Sequence, residues 1–185
     1  GIQVSSADED VAIYHNQIYS YGERNTGSQK AGIMIGGGTT GQCHANVINE
    51  GSGSGIEVLG RGANQVFNNL ITHAGSLSTT QRAYGIFAND ALIDLSTPFL
   101  LAHNTIVSAK TDGIRLYGST SYTHEIINNF IVDPGAEETY ATDGIFATEP
   151  EDAYIYIGNG SQATLDGNVF RSQISMADFV DTTAG

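Results

Sequence analysis

Gly55-Ile56-Glu57-Val58, followed by Val66-Phe67-Asn68-Asn69-Leu70-Ile71, is the stretch that decides the fold. Gly-Ile-x-Val alternates with period two, the period of a strand with one buried face. The second piece has the form apolar-x-x-Asn-x-apolar and reads as two short extended runs meeting at an asparagine. Both pieces recur. Gly-Ile-x-apolar stands at Gly1, Gly32, Gly55, Gly85, Gly113 and Gly144, with spacings of 31, 23, 30, 28 and 31 residues. The asparagine motif follows each copy and centres on Asn16, Asn46, Asn69, Asn104, Asn129 and Asn168. The intervening sequence is rich in Gly, Ser, Thr and Asn, which form turns readily and helices poorly. The register is that of a repeat protein.

Ile2/Val4, Ile33/Ile35, Ile56/Val58, Ile86/Ala88, Ile114/Leu116 and Ile145/Ala147 are the expected inward pairs. Asn tolerates the left-handed conformation, so each motif asparagine is expected at a sharp bend. Coils stacked at about 4.8 Å let like amides hydrogen-bond along the axis, so the six asparagines are expected to form a ladder. Leucine-rich repeats also stack asparagine, and Val11 to Ile18 fits their strand. The other copies place Gly41, Asn64, Phe99, His124 and Ala163 where Val11 stands, and leucine-rich repeats have no separate Gly-Ile strand. The expected fold is all-β: a right-handed parallel β-helix of about six coils with an Asn ladder. It forms one domain over 1–185, with repeats at 1–31, 32–54, 55–84, 85–112, 113–143 and 144–185. The chain opens directly on a repeat, so it is expected to be a fragment without caps, its ends covered by a neighbouring domain or subunit.

The alternation of Gly-Ile-x-Val with Val-x-Asn-Asn-x-Ile resembles the pectate-lyase-like right-handed β-helix superfamily over residues 1 to about 170. The resemblance is specific for fold and weak for activity, since that superfamily includes lyases, hydrolases, epimerases, tailspikes and adhesins. It implies that the Gly-Ile-x-Val sheet and the loops entering it form a sugar cleft.

Composition bounds the rest. Seven Lys and Arg against twenty Asp and Glu give a net charge of −13, which excludes a nucleic-acid binder. No apolar run approaches the roughly 18 residues of a membrane helix. A single cysteine, Cys43, excludes an internal disulfide and a Cys-based zinc cluster. The acidic, Lys-poor, Gly/Ser/Thr/Asn-rich composition suits a secreted or cell-surface protein.

Long and short connections alternate from each asparagine to the next Gly, at 16, 9, 16, 9 and 15 residues, and one-sided insertions usually build a binding face. The outward column of the Gly-Ile sheet reads Gln3, Met34, Glu57, Phe87, Arg115 and Phe146. Rings stack on sugars and Arg pairs with uronate or sulfate, so Glu57, Phe87, Phe146 and Tyr117 are candidate substrate contacts for an acidic polysaccharide. A sheet face that merely mixes strand formers with solubilising charges gives the same column. Lys110-Thr111-Asp112-Gly113-Ile114-Arg115 is the densest cluster. Asp112 and Asp143 each precede a repeat glycine and are expected at one corner, sharing a proton or holding a cation such as calcium. In the superfamily's lyases a cation neutralises a uronate and a base removes its α-proton; by that resemblance Lys110 and Arg115 are the catalytic candidates. A galacturonase-type hydrolase fits Asp112, Asp143 and His103 or His124 only loosely. Asp-Gly is also a common turn. Two readings therefore stand: a protein that binds or cleaves an acidic polysaccharide, as a polysaccharide lyase more than as a glycoside hydrolase, or a non-catalytic structural or adhesive β-helix module.

Overall fold

A computed structural model describes residues 1–7, 10–22, 30–59, 63–78, 82–89, 98–117, 122–135, 154–158 and 160–173. Among these residues the chain winds through eighteen strands, three to a coil, and forms no helix. The Gly-Ile motifs open sheet A: β1 (Ile2–Ser5), β4 (Ile33–Gly36), β7 (Ile56–Leu59), β10 (Ile86–Asn89), β13 (Ile114–Tyr117) and β16 (Ile155–Gly158). The first half of each asparagine motif gives sheet B: β2 (Val11–Tyr14), β5 (Gly41–His44), β8 (Gln65–Phe67), β11 (Leu100–Ala102), β14 (Thr123–Ile127) and β17 (Gln162–Asp166). The second half gives sheet C: β3 (Gln17–Tyr21), β6 (Val47–Gly51), β9 (Leu70–Thr72), β12 (Thr105–Val107), β15 (Phe130–Val132) and β18 (Val169–Arg171). All pairings are parallel and each strand pairs with its counterpart one coil away. This is a parallel β-helix; a leucine-rich repeat has no third strand of this kind. No helix among the described residues is long and apolar enough to cross a membrane.

Like residues lie over like. Ile33, Ile56, Ile86 and Ile114 form one fully buried file, Cys43, Val66, Leu101 and Ile126 a second, and Ile48, Ile71, Ile106 and Ile131 a third. Each such aliphatic side chain contributes about 1.5–3 kcal/mol through burial. Burial also pushes the Cys43 thiol up to about 12, so it behaves as an apolar core residue.

The six asparagines form the expected ladder between sheets B and C. Each Nδ2 donates to the Oδ1 of the next asparagine at 2.9–3.0 Å, from Asn16 through Asn46, Asn69, Asn104 and Asn129 to Asn168. From Asn46 onward each Nδ2 also donates to a carbonyl of the preceding coil. The left-handed bend, however, belongs to the residue before: His15, Ala45, Asn68, His103 and Asn128 have φ of 53–56°, and Gly167 has φ 61°. That bend frees the ladder residue's own N–H to point along the axis, where it donates to the same Oδ1.

The repeat glycine answers a close approach. A Cβ on Gly55 would stand 2.5 Å from Ile71 Cγ2 and 2.7 Å from the Gly85 carbonyl oxygen. Gly32 faces Ile48 and the Gly55 carbonyl in the same way. Gly55→Ala is therefore expected to cost about 1–3 kcal/mol in urea unfolding, because backbone on one side cannot yield. A loss below a few tenths of a kcal/mol would show that the corner relaxes.

The sixth strand corrects the sequence reading. Tyr154, not Gly144, takes the glycine's place, and its carbonyl accepts from Ile114 N. Ile155 and Ile157 pair with Ile114 and Leu116, in the positions expected of Ile145 and Ala147. Gly144-Ile145-Phe146-Ala147 and Asp143 lie outside the described residues. Tyr154 is accommodated because Phe170 replaces the usual Ile of sheet C, and the two rings pack with centroids 5.0 Å apart.

Candidate functional site

The outward column of sheet A is in register: Met34 beside Glu57, Glu57 beside Phe87, Phe87 beside Arg115. Tyr156 completes it, in the position expected of Phe146. Tyr117 points outward one step further along β13, beside Asn89. The sheet thus gathers Glu57, Phe87, Arg115, Tyr117 and Tyr156 on one face.

Arg115 lies beneath that face. It is 1% exposed, and its guanidinium donates to Asp112 Oδ2 at 2.9 Å. The guanidinium carbon sits 4.2 Å from the Tyr156 ring centre and 5.1 Å from that of Tyr84. Ion pairing and cation–π contact hold it as an anchor for the surrounding rings. Burial, as the largest cause, pushes the Tyr84 hydroxyl up to about 12. Lys110 lies along the turn and its Nζ donates to the Ser78 carbonyl at 2.7 Å. The two candidate bases therefore each have a protein partner.

Asp112 is also buried and pairs with the Arg115 guanidinium. The expectation that Asp143 joins it rested on Gly144 opening the sixth strand, and Tyr154 does so instead. No group of three His, Cys, Asp or Glu side chains able to hold a metal occurs among the described residues.

Glu57 is the acidic member of the face. Burial raises its carboxyl above the ordinary carboxylate range, partly offset by a hydrogen bond with the Ser54 side chain. The carboxyl thus reaches back three residues toward the corner, as Arg115 reaches back to Asp112. Tyr21 is 2% exposed and its hydroxyl donates to Gly53 O. Its titration is displaced upward, first by burial and then by the negative charge of Glu57.

The corner leading into sheet A holds a feature the sequence reading missed. Of the five Lys and Arg among the described residues, Lys30, Arg82, Lys110 and Arg115 all belong to this corner or the strand it opens. Lys30 lies against Gly53, where a Cβ would stand 2.7 Å from Lys30 Cβ. Thr111 N donates to Ala83 O, which sets Arg82 and Lys110 one coil apart. The signal was present in Lys30-Ala31-Gly32, Arg82-Ala83-Tyr84-Gly85 and Lys110-Thr111-Asp112-Gly113: a cation two or three residues ahead of the repeat glycine.

Sheet B offers a different surface. Tyr14, His44 and Phe67 stack along the axis with centroids 5.2 and 4.7 Å apart and planes within 10°. Rings stacked on one another present edges outward, so they do not make a platform for a sugar face. No family model matches this chain, and neither does any curated protein or solved structure.

Proposed function

We propose that this β-helix binds an acidic polysaccharide along the corner and outer face of sheet A. The observation that carries the reading is the corner of sheet A, where half-buried Arg82 and Lys110 stand one coil apart with the buried Lys30 and Arg115 behind them, in a chain with net charge −13. Cations beside half-buried Phe87, Tyr117 and Tyr156 suit a ligand that is both anionic and built of stackable rings. The pectate-lyase-like pattern of the sequence supports the same class of ligand, and a polymer ligand suits a secreted or surface-exposed protein. On this reading the charges that meet the polymer are the half-buried Arg82 and Lys110, so binding is expected without added calcium.

Polygalacturonate and alginate should bind in EDTA and be released by salt, while neutral dextran should not bind. Lys110→Ala should weaken affinity by about three- to tenfold, equivalent to roughly 0.7–1.4 kcal/mol. Ultraviolet absorbance of an unsaturated product would add β-elimination to binding. A chain that binds neither polymer at low salt would be a structural or adhesive module, the reading that the burial of Arg115 favours.

A further inference from the structure

The end of sheet B carries two imidazoles that the polysaccharide reading leaves unused. His44 lies in the middle of the ring stack, parallel to Tyr14 within 3° and to Phe67 within 10°. Those two rings fix its plane and cover its faces. What is left to face outward is its edge, which carries the ring nitrogens. His15 follows Tyr14 at the left-handed bend, with φ 56°, and is exposed. Its ring stands across the stack, at 73° to Tyr14 and 74° to His44, with centres 5.3 and 6.4 Å away. Tyr14 pairs with His44, so the residue after His15 in the bend file is Ala45. Only a methyl group therefore stands next to His44 at the bend. Neither imidazole makes a hydrogen bond to another described residue.

We infer that His15 and His44 chelate a divalent transition-metal ion, Cu2+ ahead of Zn2+, at the corner between sheets B and C. Imidazole nitrogen is a preferred donor for these ions, and Cu2+ is held most tightly in the first-row series. An ion about 2.1 Å from one nitrogen of each ring sets the ring centres about 5–6.5 Å apart, according to the angle at the metal. The observed 6.4 Å lies at the wide end of that range, and rotation of the exposed His15 side chain narrows it. Two protein donors leave the remaining positions to water, so the ion is exchangeable and open to a further ligand. The net charge of −13 favours cations near the surface. This site lies on another sheet from the cationic corner and stands whether or not a polysaccharide binds there.

The test titrates Cu2+ into the folded protein at neutral pH and follows tyrosine fluorescence, since the chain has nine Tyr and no Trp. Bound copper beside Tyr14 should quench part of the emission, and EDTA should restore it. His15→Ala and His44→Phe should each weaken binding about a hundredfold, because the second imidazole acts at high effective concentration. Both replacements suit the fold: alanine already occupies this bend at Ala45, and phenylalanine keeps a ring in the stack. Far-ultraviolet circular dichroism establishes that each variant folds. His103 is the control: it holds the same bend three coils on, but beside Ala102 instead of a second imidazole. His103→Ala should bind copper as the wild type does, within about twofold. Wild-type affinity in His15→Ala or His44→Phe, or an equal loss in His103→Ala, overturns the chelate. So does a wild-type protein without saturable copper binding.

Discussion

Asn69→Ala should lower the free energy of unfolding by about 3 kcal/mol, because it breaks a buried hydrogen-bond file in the middle. Asn69 is 2% exposed. Its Oδ1 accepts from Asn46 Nδ2 at 2.9 Å and from Asn46 N at 3.1 Å. Its Nδ2 donates to Asn104 Oδ1 at 3.0 Å and to Cys43 O at 2.9 Å. Alanine removes the acceptor for two buried donors of Asn46 and the amide that donates to Asn104 Oδ1 and Cys43 O, leaving Asn104 Oδ1 only the Asn69 backbone N–H. Each orphaned buried group costs about 1–3 kcal/mol, and partial rearrangement recovers some of the sum. Asn16→Ala is the internal control. Its Oδ1 accepts no hydrogen bond among the described residues, so only the bonds that its Nδ2 donates are lost, and the loss should be about 1 kcal/mol. Urea unfolding of the three proteins with a shared m-value decides it. Equal losses at Asn16 and Asn69 would mean that the ladder is a geometric coincidence of a turn residue.

The ladder and the three buried files were legible because they impose one requirement at every coil. A stack of like residues writes its period into the sequence wherever each position must be filled in the same way. Tyr154 shows where this legibility stops. The glycine rule follows from two neighbours, the sheet C isoleucine of the same coil and the carbonyl of the next. In the sixth coil Phe170 replaces that isoleucine, the requirement changes, and Tyr154-Ile155-Tyr156-Ile157 carries the strand on alternation alone. Gly144 satisfied the motif without holding the position. The left-handed bend was misplaced for a related reason. Asparagine was read for its backbone tolerance, whereas the fold uses its amide, and the bend falls on neighbours as unlike as Ala45 and His103.

The site was less legible, because function at a repeat surface depends on how residues of different coils combine. Glu57, Phe87 and Arg115 were placed on one column from period alone. Whether a side chain in that column faces solvent depends on what covers it, and Arg115 is covered. Lys30 and Arg82 escaped notice, and Lys110 was read with Asp112 and Arg115 instead of with them, because the three differ by one position in their offset from the glycine. The corner brings them together where a strict register would not.

Asp112→Ala should cost about 3–5 kcal/mol, the range for removing one partner of a buried ion pair. The side chains of Arg115 and Asp112 are 1% and 4% exposed, and their contact at 2.9 Å lies beneath rings. Alanine leaves a guanidinium inside the protein with its cation–π contacts to Tyr156 and Tyr84, each worth about 1–2 kcal/mol when desolvated. Those contacts do not replace the lost counter-charge, so the Arg115→Met/Asp112→Leu double variant should be more stable than Asp112→Ala even though it gives them up. Apolar replacement of both partners leaves no charge to solvate. Asp112→Asn should fall between, since its amide oxygen still accepts from Arg115 while the charge attraction is gone. The same series separates stability from binding. The double variant removes the anchor beneath Tyr156 but keeps Lys30, Arg82 and Lys110, so it should fold well and bind polygalacturonate less tightly. Near-ultraviolet circular dichroism should report the freed tyrosines. If Asp112→Ala loses less than about 1 kcal/mol, the pair is solvated in solution and Arg115 is available at the surface after all.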